Sequence, residues 1–132
     1  MRLKIITNER IVFDDEVDEI YCDGTEGSFG VLKGHVSFMT TLEIGIAKAV
    51  KDGLKKNFTV MGGIFLFKNE EALILTHVAE NAEEIDEERA KEALKRAQMR
   101  LDEHSAEIDA KRAQAAMARA MARLKVKLNN GK

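Results

Sequence analysis

"EALILTHVAENAEEIDEERAKEALKR", residues 71–96, changes its repeat partway along. From Glu71 to Val78 it reads as a short alternating run, the two-residue pattern of a half-buried strand. Beyond it, Ala90, Ala93, Leu94, Ala97 and then Leu101 fall at spacings of three and four, one stripe of a helix. A chain that switches period in this way carries two architectures, with the boundary in the polar stretch between them.

Reading toward the start, "RLKIIT", "RIVFDDEV", "DEIYCDG", "GIAKAVKDG" and "KNFTVMGGIFLFK" repeat the alternating pattern, punctuated at Asn8, Gly24, Asp52-Gly53 and Asn69. Short strands at such intervals predict an all-β sandwich or barrel over residues 1–82. Asp52-Gly53 suits a tight hairpin that needs positive φ, and Gly62-Gly63 inside a strand-like run marks a bulge or a close backbone approach. Reading toward the end, Ala113, Ala116, Met117, Ala120, Leu124 and Leu128 form a second helical stripe. The break Asp102–Ser105 is short enough to make the two helices antiparallel neighbours, so residues 83–132 read as a helical hairpin. Its seam is rich in alanine, which buries little area per residue, so the hairpin is one that can come apart. Met99, Met117 and Met121 read as fillers of that seam. The fold class is therefore α+β in two parts, an N-terminal antiparallel β-sandwich or barrel followed by a C-terminal two-helix hairpin.

Composition narrows the function. Among 132 residues, 21 Lys and Arg nearly balance 23 Asp and Glu, so no global attraction to nucleic acid is expected. No apolar run approaches the ~18 residues of a membrane span, and no signal-peptide core is visible at the N-terminus. Direct membrane insertion is not expected. Cys22 stands alone, which excludes an intrachain disulfide and fits a reducing compartment; it reads as core rather than nucleophile. His35, His77 and His104 are scattered without ligand spacing, and no paired catalytic carboxylates stand out, so neither a metal site nor an enzyme is expected.

Charge is ordered along the helices. Glu80, Glu83, Glu84, Asp86, Glu87 and Glu88 crowd the first helix start, favourable to its dipole, while no acid follows Asp109. Asp86 can cap the first helix, Ile85 can staple it, and Arg89 can pair back to Asp86. Arg89 and Arg96, seven residues apart, share a face, as do Arg119 and Arg123. Guanidiniums in such rows can clamp phosphates through bidentate bonds. The pattern "EIDEERA" is echoed by "EIDAKRA" at residues 107–113, so the residues alone leave both readings open: a helix start, or a helix start that also binds a nucleotide.

"EGSFGVLKGHVSFMTTLEIG", residues 26–45, is glycine-dense and reads as a sharply turning loop. Lys33 precedes its glycine and no helix signal follows, so this is no phosphate loop. Followed by "GGIFLF", "VAENAEEID" and an Ala/Arg-rich hairpin, it resembles the epsilon subunit of bacterial F-type ATP synthases, in order and along essentially the whole chain. Members usually carry proline where Lys33 stands and near Ser37, and often an acid where Ser28 stands; this chain carries none of these.

The resemblance implies a non-catalytic rotor subunit of the central stalk. It would couple the catalytic head to ion flow through the membrane ring and inhibit ATP hydrolysis through mobile C-terminal helices. Implied partners are the gamma subunit, the membrane ring of proteolipid subunits and, when the helices extend, the catalytic-head subunits; the implied location is peripheral, on the cytoplasmic face of the bacterial inner membrane. No cofactor is required, and ATP is implied as a regulatory ligand that stabilises the folded, non-inhibitory hairpin. Matched residue by residue, ATP contacts fall on Glu80, Ile85, Asp86, Arg89, Ala90, Arg96, Arg119 and Arg123, and a ring-facing loop on Glu26, Ser28 and His35. The alternative is a free-standing ATP-sensing hairpin module. A basic-helix nucleic-acid binder is disfavoured by the balanced charge and the lack of stacking aromatics.

Overall fold

A computed structural model describes residues 1–103 and 107–128. Eight strands come first: β1 (Arg2–Ile6), β2 (Ile11–Glu16), β3 (Glu19–Gly24), β4 (Gly27–Leu32), β5 (Phe38–Lys51), β6 (Leu54–Lys68), β7 (Glu71–Leu75) and β8 (Ala79–Asn81). A 3-10 turn at Ala82–Glu84 leads into α1 (Glu87–Glu103) and α2 (Glu107–Leu128). The inter-helix break expected at Asp102–Ser105 lies partly outside the described residues.

All eight strands belong to one sheet, ordered β2-β1-β7-β6-β5-β3-β4, with β8 on β6. β5 and β6, 14 and 15 residues long, pair in one constant register from Phe38↔Phe67 to Lys51↔Leu54, interrupted only at Glu43 and Gly62. At that interruption the sheet turns a corner. The later half of β6 pairs with β7 and the earlier half with β8, so this one strand serves both layers of a sandwich. Gly63 makes the corner possible, because at its φ of 132° a Cβ would drive into the Leu75 carbonyl oxygen. The expected close backbone approach is thus real. Asp52 and Gly53, with φ of 52° and 77°, close the β5–β6 hairpin as their residue types require.

Between the layers lie Leu3, Ile5, Ile20, Val31, Phe58, Phe65, Phe67 and Ile74, all essentially sealed from solvent. Phe13 of β2 meets Phe58 of β6 at 5.1 Å between ring centroids, and Phe29 of β4 meets Phe65 at 5.1 Å. Residues 26–45 differ from the expected loop. Gly27–Leu32 is a strand, paired with β3 from Glu19↔Leu32 to Gly24↔Gly27, and after it only residues 33–37 leave the sheet. Gly30 is small there for a packing reason: the Tyr21 ring of β3 lies across it, 2.8 Å from where a Cβ would stand. Cys22 is buried, and burial pushes its thiol up to about 12.

The helices meet along alanine. Ala90 and Ala97 of α1 and Ala113 and Ala120 of α2 are buried. Of the three methionines expected in this seam, Met117 is half-buried, but Met99 and Met121 are 52% and 55% exposed. Alanine, with only a methyl group, leaves the longer side chains beside it half-buried or exposed. A separate small cluster, Ala82, Ile85 and Val126 with Ile46 of β5, joins the hairpin to the sandwich.

Candidate functional site

Where the chain leaves β8 and enters α1, the linker and both helices enclose a cleft of about 320 Å³. Asp86 starts α1 as its type predicts: its Oδ1 accepts from the Arg89 backbone N–H at 3.2 Å and its carbonyl from Ala90 N–H at 3.0 Å. That cap sets the helical phase and turns Arg89 and, about 10.5 Å further along, Arg96 toward the cleft. Ile85, 5% exposed, staples the entry against Val126. From α2 comes Arg123, whose Nε donates to Glu80 Oε1 at 2.7 Å; the same oxygen accepts from Thr59 Oγ1 at 3.2 Å. Glu80 lies on β8, so this ion pair ties the second helix to the sheet.

Seven of the eight residues expected at a nucleotide site line this one cleft: Glu80, Ile85, Asp86, Arg89, Ala90, Arg96 and Arg123. Arg119 does not. It lies one turn before Arg123, about 6 Å along α2, and its side chain is not part of the cleft wall. Spacing shows that two side chains share a helix face, not that both reach the same cleft. Two lining residues had not been singled out: Ala93 and Glu84. Glu87 and Glu88 are turned away and pair with Lys91 at 3.3 and 3.9 Å. The wall thus carries three arginines against Glu80, Glu84 and Asp86. Among the described residues Arg89 and Arg96 have no ion-pair partner, so two forked donors face an open space, chemistry suited to a polyanion.

The other three expected site residues do not form one patch. Glu26 lies in the turn before β4 and Ser28 near it, donating to Asp23 Oδ1 at 2.9 Å. His35 lies past the opposite end of β4, roughly 20 Å away at ~3.3 Å per strand residue, its ring 4.9 Å from that of Phe38. Because residues 27–32 form a strand rather than a loop, His35 is held apart from Glu26 and Ser28. His35 belongs to an ordered turn in which Glu70 Oε1 accepts from Gly34 N–H at 2.8 Å.

A second surface was missed in the sequence. Register places Met39, Leu66 and Leu73 side by side, with Thr41, Ile64 and Leu75 in the next row, on the outer face of the β5–β6–β7 layer. Met39 is 69% exposed, and Ile64, Leu66 and Leu75 are also exposed. Contiguous exposed apolar faces of this kind are where proteins meet other molecules. Alternation along single strands hid it, because both faces of these strands are apolar.

A sandwich with an apolar outer face, joined by a thin interface to a helical hairpin, defines a subunit of a larger assembly. The comparisons say which. The family models described as "ATP synthase, Delta/Epsilon chain, beta-sandwich domain" and "ATP synthase, Delta/Epsilon chain, long alpha-helix domain" match residues 1–82 and 83–127. The ATP synthase epsilon chain of Thermodesulfovibrio yellowstonii is 46% identical over 101 residues, covering 76% of this chain and 72% of the relative. That of Geobacter sp. strain M21 is 42% identical over 101 residues, 76% of this chain and 73% of the relative. A chain of the Euglena gracilis mitochondrial ATP synthase superposes with a TM-score of 0.83 at 25% identity, covering 96% of this chain and 80% of that one. One from the central stalk and ring of the Tetrahymena thermophila enzyme gives 0.62 at 11% identity, over 96% and 95%, a likeness of fold alone. The chain belongs to the ATP synthase epsilon family, and is a non-catalytic subunit of that complex. Among the described residues no helix is long and apolar enough to cross a membrane.

Proposed function

We propose that this subunit works in the rotor of the central stalk and brakes ATP hydrolysis with its C-terminal helices, and that ATP bound between them holds the brake folded. The carrying observation is that the cleft is built from three separable pieces: Glu80 on the sheet, Arg89 and Arg96 on α1, and Arg123 on α2. If the helices extend, the pieces part and the site disappears. A ligand shifts an equilibrium only by its different affinity for the two states, and here one state has no site.

The apolar face around Met39 and Leu66 supports docking on the gamma subunit, leaving the helices free to move. His35, in its ordered turn, supports a contact with the membrane ring at the far end of β4 from Glu26 and Ser28. The extended helices would reach the catalytic head, where the acid-free run after Asp109 meets acidic segments. Such an assembly sits on the cytoplasmic face of a bacterial inner membrane.

Arg89, Arg96 and Arg123 hold the phosphates in this reading, while Ile85 and Ala90 give the apolar floor. Arg119 takes no direct part in the folded state. Thermal melting followed by a helix-sensitive signal, with and without millimolar ATP, is the test. Bound ATP adds about RT ln(1 + [L]/Kd), or ~2.7 kcal/mol at a hundredfold excess over Kd. The helical signal should melt higher with ATP in the wild-type chain and show no shift in Arg89→Ala. No shift in the wild-type chain would remove the nucleotide from the proposal.

A further inference from the structure

Glu84 is the odd member of the cleft wall, a third carboxylate where a polyanion would sit. It does not face the cleft alone. Behind it, Arg10 grips its carboxylate with both ends of the guanidinium fork, Nη2 to Oε2 at 2.6 Å and Nη1 to Oε1 at 3.3 Å. Arg10 comes from the β1–β2 turn, 74 residues away in sequence, and its backbone is fixed there. Thr7 N–H donates to the Arg10 carbonyl at 2.9 Å, and Arg10 N–H donates to Thr7 Oγ1 at 3.2 Å. Hydrogen bonding and attraction from Glu84, with a further pull from Glu80, strengthen the hold on the Arg10 proton.

We infer that Arg10 is a positioning residue of the nucleotide cleft: by neutralising Glu84 from behind it leaves the wall with a net positive charge. Counted alone, the lining arginines Arg89, Arg96 and Arg123 are cancelled by Glu80, Glu84 and Asp86. With Arg10 included, the site carries an excess of one positive charge. A triphosphate feels that unit several-fold, because each of its charges interacts with it. The inference rests on the nucleotide reading above but concerns a residue outside the cleft lining, on the body of the sandwich rather than on the helices.

The same contact could merely tie the linker down, and the two roles differ in one respect. A tie is lost whichever partner is removed and is not restored by removing both. Charge balance is restored by removing both. The experiment is a calorimetric titration of the full chain with ATP in four forms: wild type, Arg10→Ala, Glu84→Gln and the double variant, at low and high salt. Expected at low salt are a loss of affinity of about three- to tenfold in Arg10→Ala, a gain of similar size in Glu84→Gln, and wild-type affinity in the double variant. The differences should shrink at high salt, as screening requires. Arg10→Lys, which keeps the charge without the fork, should stay close to wild type and covers the case in which Arg10→Ala folds poorly.

A double variant as weak as Arg10→Ala would overturn the inference in favour of a tie, and unchanged affinity in Arg10→Ala would overturn it outright. Failure of the wild-type chain to bind ATP at either salt would instead bring down the nucleotide reading, and this inference with it.

Discussion

Val126→Ala tests the joint between hairpin and sandwich. Val126 is fully buried against Ala82 and Ile85 and touches Ile46, and this cluster shares no member with the main core. The substitution removes two methyl groups, about 0.8 kcal/mol each by transfer, plus a term for the small cavity left behind, so about 1.5–2.5 kcal/mol in all. If the hairpin undocks as a unit, its opening equilibrium should rise roughly 10- to 70-fold, since ~1.4 kcal/mol is a factor of ten. Hydrogen–deuterium exchange read by peptide is the assay. Amides in α2 should lose protection by that factor, while those of β6 around Phe58–Val60 keep theirs. Saturating ATP should recover part of the lost protection. Equal loss of protection in α2 and β6 would mean that the two parts open together, and the reasoning that separates them would be refuted.

Removing residues after Asp86 should leave the sandwich folded and able to join the complex, and should raise ATP hydrolysis by the assembled enzyme; failure to assemble would contradict the division of labour. Gly63→Ala should destabilise the sandwich by more than ~2 kcal/mol, seen as a lower melting temperature, because a Cβ there meets the Leu75 carbonyl and the backbone sits at positive φ. Asp15 is held below the usual carboxylate range by the Glu16 backbone N–H and then by Lys51, so what it contributes is present above its unfolded value of 3.8 and lost as pH falls below it. An NMR titration should find its midpoint depressed, and Lys51→Ala should move that midpoint up. Cys22, its thiol pushed up to about 12, should resist alkylation near neutral pH in the folded chain and react once it unfolds.

Local rules made much of this fold legible. The two-residue and 3.6-residue repeats separated sandwich from hairpin, Asp52-Gly53 marked its hairpin, and Asp86 its helix start. What stayed hidden depended on partners distant in sequence. Residues 26–45 looked like a loop because glycine is a poor strand former, yet Gly30 is there to admit Tyr21, which only the β3–β4 register reveals. Most of the cleft could be read because its residues share one linker and two helix faces. The absence of Arg119 from its wall and the Arg10 contact behind Glu84 could not, since both depend on how distant segments are packed together.

β8 is three residues long and pairs with β6 through Phe58↔Asn81, Thr59↔Glu80 and Val60↔Ala79. Without it, the edge of the sandwich's longest strand would offer bare amides and carbonyls to any passing chain, beside some of its most apolar residues. Edges of this kind recruit neighbours and seed aggregation. A hairpin that swings as proposed would have to do so without unzipping the strip that seals this edge. The 3-10 turn at Ala82–Glu84 follows directly after β8, so a hairpin released from the Ala82–Ile85–Val126 joint would bend beyond the strip and leave β8 in place. If the helices extend as proposed, Glu80 would remain fixed to the sheet, a stationary mark to which Arg123 could return.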